Sequence, residues 1–114
     1  MPYIKVETNV DITKEQALDT LNQLSAAVAA VTGKPEIYIQ AGLQGGIAML
    51  MAGEPGPTAH VEVKGIGFPE TQARPMSEKV TDILTEAFGI PGKRVHITFD
   101  AYEGSMWGVD GSTF

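Results

Sequence analysis

The chain has 114 residues, 43% of them hydrophobic and 19% charged, with a net charge of −6 and a pI near 4.7. That size and balance fit one folded domain over residues 1–114, and an acidic surface with scattered Lys and Arg excludes a binder of nucleic-acid phosphates. The absence of cysteine removes disulfides, thiol catalysis and thiolate metal sites, while two histidines, His60 and His96, make no metal signature.

The start of the chain, Met1-Pro2-Tyr3-Ile4-Lys5-Val6, alternates Ile4, Val6 and Thr8 with Tyr3, Lys5 and Glu7, the period of a half-buried strand over residues 2–8. Pro2 there has two readings. It starts a strand, where a residue without an N–H is tolerated. Alternatively, once Met1 is removed, it presents a secondary amine that titrates far closer to neutrality than a lysine and serves as a general base. The first residues are too polar for a signal peptide, and no run approaches the roughly 20 apolar residues that span a bilayer. The expected address is therefore cytoplasmic, with no membrane partner.

Thr13 followed by Gln16 is a capping-box pattern, and Ala17, Leu18, Leu21, Leu24, Val28 and Val31 fall on one stripe of the helix it opens. Gly33 and Pro35 close that helix. Glu36–Ala41 alternates again and predicts a second strand; Gly45-Gly46 predicts a turn, and Ile47–Met51 a short strand. Thr58–Lys64 reads as the next strand, with Gly65–Pro69 as a loop. A helix is expected over Glu70–Phe88, Pro75 lying in its first turns. A last strand is predicted over Arg94–Asp100.

The halves match: Ile4-Lys5-Val6 corresponds to Val61-Glu62-Val63, and Thr32–Ile39 to Gly89–Ile97, at an offset of about 57–59 residues. A duplicated β-α-β unit, spanning about residues 2–42 and 58–101, implies an α+β fold. It has a four-stranded mixed sheet and two antiparallel helices on one face. The other face, carrying Tyr3, Tyr38 and His96 among apolar neighbours, is expected to be an apolar subunit interface. The Gly-rich tail, residues 102–114, is expected to supply a short strand for a neighbour's sheet edge.

The opening Met-Pro, Thr32-Gly33-Lys34-Pro35, Gly65-Ile66-Gly67, Arg94-Val95 and Gly111-Ser112-Thr113-Phe114 occur together in register over the whole chain. In this the sequence resembles the macrophage migration inhibitory factor family of the tautomerase superfamily. The resemblance implies a homotrimer with active sites at subunit interfaces. It also implies enol–keto tautomerisation of phenylpyruvate-type or dopachrome-type substrates, with no cofactor and no metal. Position by position, it makes Pro2 the acid/base, has Lys34 and the Ile66 N–H bind the substrate carboxylate, and puts Tyr3 and Phe114 in an apolar wall. Lys64 stands where vertebrate members have a histidine. His96 and Thr98 replace a tyrosine and an asparagine that contact substrate across the interface. Trp107 precedes Gly108, which alters the pocket wall, and Pro57-Thr58-Ala59-His60 replaces a Cys-x-x-Cys stretch.

From the residues alone, Lys34 reads equally as a complement to the negative end of the first helix. Lys64 also reads as a solvated strand end, and Trp107 as an interface anchor. The alternative to an enzyme is a cytokine-type binding protein with a vestigial pocket and a receptor partner, as family members leave cells without a signal peptide. A third reading is a bare trimeric scaffold.

Overall fold

A computed structural model of the chain describes residues 1–114. Strand β1 (Tyr3–Thr8) leads to helix α1 (Lys14–Thr32) and strand β2 (Gln40–Gln44). Strand β3 (Ala59–Ile66) then leads to helix α2 (Ala73–Phe88) and strand β4 (Val95–Tyr102). The sheet order is β2-β1-β3-β4, with β1–β2 and β3–β4 parallel and β1–β3 antiparallel. Each parallel pair is joined by a helix, as such a connection requires. The two helices run antiparallel because β1 and β3 do, and they share one face of the sheet.

Alternation decides that face. Ile4, Val6 and Thr8 of β1 and Ala59, Val61 and Val63 of β3 are buried against Leu24, Val28, Met76, Val80 and Leu84 of the helices. Each fully buried aliphatic side chain contributes about 1.5–3 kcal/mol relative to exposure. Leu18, expected on the buried stripe of α1, is instead 54% exposed, because its position has turned past the helix edge. No helix is long and apolar enough to cross a membrane.

The helix ends form as their residues dictate. The Thr13 hydroxyl accepts from the Gln16 N–H at 3.1 Å and the Gln16 side chain accepts from the Thr13 N–H at 2.9 Å, completing the capping box. Gly33 and Gly89 close the two helices with φ of 71° and 69°, a left-handed conformation that favours glycine. Pro75 falls in the first turn of α2, where its missing N–H has no intrahelical partner to lose.

Three expectations are corrected. Glu36–Tyr38 is not strand but a 3₁₀ turn: Pro35 fixes φ, and its carbonyl and that of Glu36 accept from Tyr38 and Ile39 at 3.1 and 3.0 Å. Pairing with β1 therefore begins only at Gln40, whose N–H donates to Pro2 O at 3.1 Å. Pro91 does the same before β4, turning Gly92–Arg94.

Residues 47–51 form no strand. Their only ladder contact is an isolated Met51–Glu54 bridge, and the positive φ of Ala52 and Gly53 reverses the chain there. The Arg94 guanidinium holds this loop by donating to the carbonyls of Pro57 (2.8 Å), Met51 (3.3 Å), Glu54 (3.0 Å) and Gly56 (3.0 Å).

Finally, the helix-free face of the sheet is polar rather than apolar. Its rows place Tyr3, Lys64 and Asp100 side by side, then Lys5, Glu62 and Thr98, then Glu7, His60 and His96. The β period assigns every charged residue of β1 and β3 to this face, whereas Tyr38 lies outside the sheet. The tail folds on itself as a two-stranded hairpin, β5 (Gly108–Val109) with β6 (Ser112–Thr113).

Candidate active site

The start of β1, the end of α1, the loop after β3 and the start of α2 meet at one end of the sheet. They enclose a cavity of about 150 Å³ lined by Pro2, Thr32, Lys34, Gly65, Ile66, Gly67, Phe68, Pro69 and Gln72. A larger hollow of about 780 Å³ along α2, bordered by Arg74, Glu78 and Asp82, is a shallow open groove. The smaller cavity is the enclosed one, and it gathers the chemically useful groups.

Local sequence sets each wall. Pro2 is buried because it continues the inward phase of Ile4 and Val6. Lys34 follows the glycine cap, and its N–H donates to the Thr32 hydroxyl at 3.3 Å. That hydroxyl in turn donates to Val28 O at 2.7 Å, which fixes the last turn of α1 beneath the lysine. Gly67 has φ of 59° and donates its N–H to Tyr102 O at 3.0 Å, turning the loop back over the sheet. Phe68 lies against Gly65 and stacks on Phe99, with ring centroids 5.5 Å apart. Gln72 is held at the head of α2 by a 3₁₀ turn in which its N–H donates to Pro69 O at 3.0 Å.

The electrostatics suit a neutral amine. Burial, and then a hydrogen bond and Coulomb repulsion from Lys34, lower the chain's amino group at Met1 from 8.0 to about 6. With Met1 attached, the Pro2 nitrogen itself is an amide nitrogen and is not basic.

Of the residues singled out from sequence, the structure brings Pro2, Lys34 and Ile66 together. It does not bring the others into that cavity. Tyr3 projects from the helix-free face, its hydroxyl lying over Gly42. Lys64 is its cross-strand neighbour on the same face. Farther along the sheet, the Thr98 hydroxyl is 3.5 Å from the His60 ring, and His96 is exposed beside it. Trp107 packs edge-on against Tyr102 at 5.8 Å and its carbonyl accepts from the Phe114 N–H at 3.2 Å. Phe114 is 54% exposed.

Thr32, Phe68, Pro69 and Gln72 line the cavity without having been singled out. For Phe68 and Gln72 the available signal was position, since both flank the turn that connects β3 to α2. No three His, Asp or Glu side chains gather to hold a metal ion.

Comparison with known proteins gives a consistent relationship. A sequence profile described as macrophage migration inhibitory factor (MIF) matches residues 1–114. A macrophage migration inhibitory factor homolog of Trichuris trichiura is 33% identical over 115 aligned residues, covering 100% of both chains. A D-dopachrome decarboxylase of Mus musculus is 32% identical, with 98% of this chain and 96% of that one covered. The crystal structure of a macrophage migration inhibitory factor homologue from Prochlorococcus marinus superposes with a TM-score of 0.93 at 35% identity, covering 98% of each chain.

Proposed function

The chain belongs to the macrophage migration inhibitory factor family, and from that premise we propose that it is a keto–enol tautomerase of phenylpyruvate-type 2-oxo acids. The observation that carries this reading is the shared cavity of Pro2, Lys34 and Ile66, beside an amino group that burial, and then Lys34, hold at about 6. Removal of Met1 makes Pro2 the terminal residue, and its secondary amine then faces the same cation and the same low-dielectric walls. Both effects disfavour the ammonium form, so the amine is free to accept a proton at neutral pH.

In the proposed reaction the substrate carboxylate binds Lys34 and the Ile66 N–H. The Pro2 amine takes a proton from carbon 3, whose C–H pair becomes the double bond to carbon 2 as the carbonyl π pair moves onto oxygen; the oxygen takes a proton from water, and the prolinium returns its proton to the hydroxide left behind. In the reverse direction the prolinium delivers its proton to carbon. No oxidation change occurs. The relative named as a D-dopachrome decarboxylase supports an enzymatic use of this fold.

The cavity holds about 150 Å³, below the roughly 300–1,000 Å³ of a pocket that encloses a whole drug-sized ligand. That accommodates the carboxylate and carbonyl head of a 2-oxo acid, leaving an aromatic ring at the mouth. We therefore read the chain as one domain that works as a homotrimer. His96 and Thr98, which lie outside the cavity, would meet the ring from a neighbouring copy, and Tyr3, Lys64, Trp107 and Phe114 are the remaining candidate substrate contacts.

The test is an intact-mass measurement followed by a phenylpyruvate tautomerase assay on the same sample. Protein lacking Met1 is expected to turn over, and its Pro2→Ala variant to lose activity by on the order of 10²–10⁴-fold, the usual contribution of a positioned base. A fully active Pro2→Ala variant would sink the mechanism. Processed wild-type protein with no turnover would favour the cytokine-type binding role.

A further inference from the structure

Tautomerisation needs a group to hold the oxygen on which charge develops, and the cavity's side chains narrow the choice. Six of its nine lining residues (Pro2, Gly65, Ile66, Gly67, Phe68 and Pro69) carry no polar side-chain atom. The Thr32 hydroxyl is committed, donating to Val28 O at 2.7 Å and accepting from the Lys34 N–H at 3.3 Å. Lys34 and Gln72 remain. Gln72 is half-buried and makes no side-chain hydrogen bond to the helix it heads, although it occupies the cap position where a short polar side chain would do so. It lines the same cavity as the Lys34 cation, and its carboxamide is uncommitted.

The two donors suit different oxygens. The ammonium of Lys34 matches the full charge of a carboxylate, present before and after reaction. A neutral amide N–H matches an oxygen that is neutral in the ground state and gains charge only as the enolate forms. Lys34 leaves the end of α1 and Gln72 the start of α2, so they approach a bound molecule from different walls. The N-terminal end of α2, a helix of 16 residues, adds positive potential on the Gln72 side.

Resting on the tautomerase reading, we propose that the Gln72 carboxamide donates to the 2-oxo oxygen of the substrate and stabilises the enolate, making Gln72 a catalytic residue of this site. A donor that strengthens only in the transition state raises kcat and leaves KM nearly unchanged.

Two variants of matching length test this. Gln72→Met removes the donor, and Gln72→Glu replaces it with an acceptor that also suits the head of a helix. Expected in the processed enzyme is a fall in kcat on the order of 10²-fold for Gln72→Met, the size of losing one oxyanion donor, with KM within about threefold. Gln72→Glu is expected to lose at least as much activity while its thermal midpoint holds or rises. A purely structural role would move midpoint and activity together. Wild-type turnover with kcat of both variants within about threefold of it overturns the assignment, as does a loss confined to KM. Wild-type protein that lacks turnover after Met1 removal overturns the tautomerase reading itself, and this assignment with it.

Discussion

Replacing Lys34 by Met isolates what the cation does to the neighbouring amine. In the chain that keeps Met1, the terminal amine is lowered from 8.0 to about 6, first by burial and then by the hydrogen bond and charge of Lys34. An amine at 6 is about nine-tenths neutral at pH 7, whereas one at 8.0 is about one-tenth neutral, so the whole effect is worth roughly tenfold in free base. Lys34→Met removes the two smaller causes and leaves the largest, so the amine should rise from 6 yet stay below 8.0. A ¹⁵N-labelled Met1 followed by NMR from pH 5 to pH 9 reads this directly.

The sign for stability follows from the same shift. The folded state resists protonating this amine, so its penalty is complete below the folded value and gone above the unfolded one. Stability from this group therefore rises with pH between about 6 and 8, and the rise should shrink in Lys34→Met. In processed enzyme the acidic limb of kcat/KM should move to higher pH in the same variant. KM should increase as well, because a charge-assisted hydrogen bond worth about 1.5–3 kcal/mol is lost. An amine that titrates unchanged in Lys34→Met, or moves down, refutes the assignment of the cation as its neighbour.

Arg94→Met should destabilise the fold by about 2–4 kcal/mol, since four loop carbonyls lose a charged donor but partly regain water. Urea unfolding at one fixed protein concentration measures it, and a change below about 0.5 kcal/mol would show the clamp to be incidental. Thr8→Val keeps shape but strips the buried hydroxyl that donates to Thr58 O at 2.7 Å and accepts from Val10 N–H at 3.2 Å. The expected cost is about 1–3 kcal/mol for the groups left unpaired, with an unaltered urea slope.

The strands that alternate and the helices that carry caps were legible because one residue pattern admits one burial phase. Thr13 with Gln16 placed the start of α1, and Gly33 its end. The 3₁₀ turns after Pro35 and Pro91 were hidden because Glu36-Ile37-Tyr38-Ile39 has strand composition, and the decisive fact is where pairing to β1 becomes possible. Ile37 and Tyr38, apolar in sequence, end up 82% and 46% exposed. The polar character of the free sheet face was readable from Lys5, Glu7, Glu62 and Lys64, all in one phase, and aromatic residues outside that phase obscured it. For the site, Pro2 and Lys34 carried enough local signal to be named. Gln72 did not, because it read as an ordinary residue of a helix expected to begin at Glu70, whereas that helix begins at Ala73 and leaves Gln72 in the cavity wall with Pro2.

The matching corners of the two β-α-β halves differ in the side chain that follows the helix cap. Lys34 and Ile90 both follow the glycine that caps a helix, and both precede a proline that starts a 3₁₀ turn. At the first corner the side chain is a half-buried cation, which has to keep a polar environment and so leaves a space beside Pro2. At the second it is a fully buried isoleucine. The loop after β1 is tied down at that corner. The Asn9 side chain accepts from the Thr58 N–H at 2.9 Å and donates to Pro55 O and Gly56 O at 3.0 and 2.9 Å. The Thr58 hydroxyl then donates to Arg94 O at 2.7 Å. The loop after β3, Gly67-Phe68-Pro69, has no side chain able to make such bonds. One corner thus has its polar groups satisfied internally and contributes stability. The other leaves the Gln72 carboxamide without a partner beside an ammonium whose hydrogen bond is to the terminal amine, and in the proposed reaction a small anionic substrate with an enolisable carbonyl takes up both.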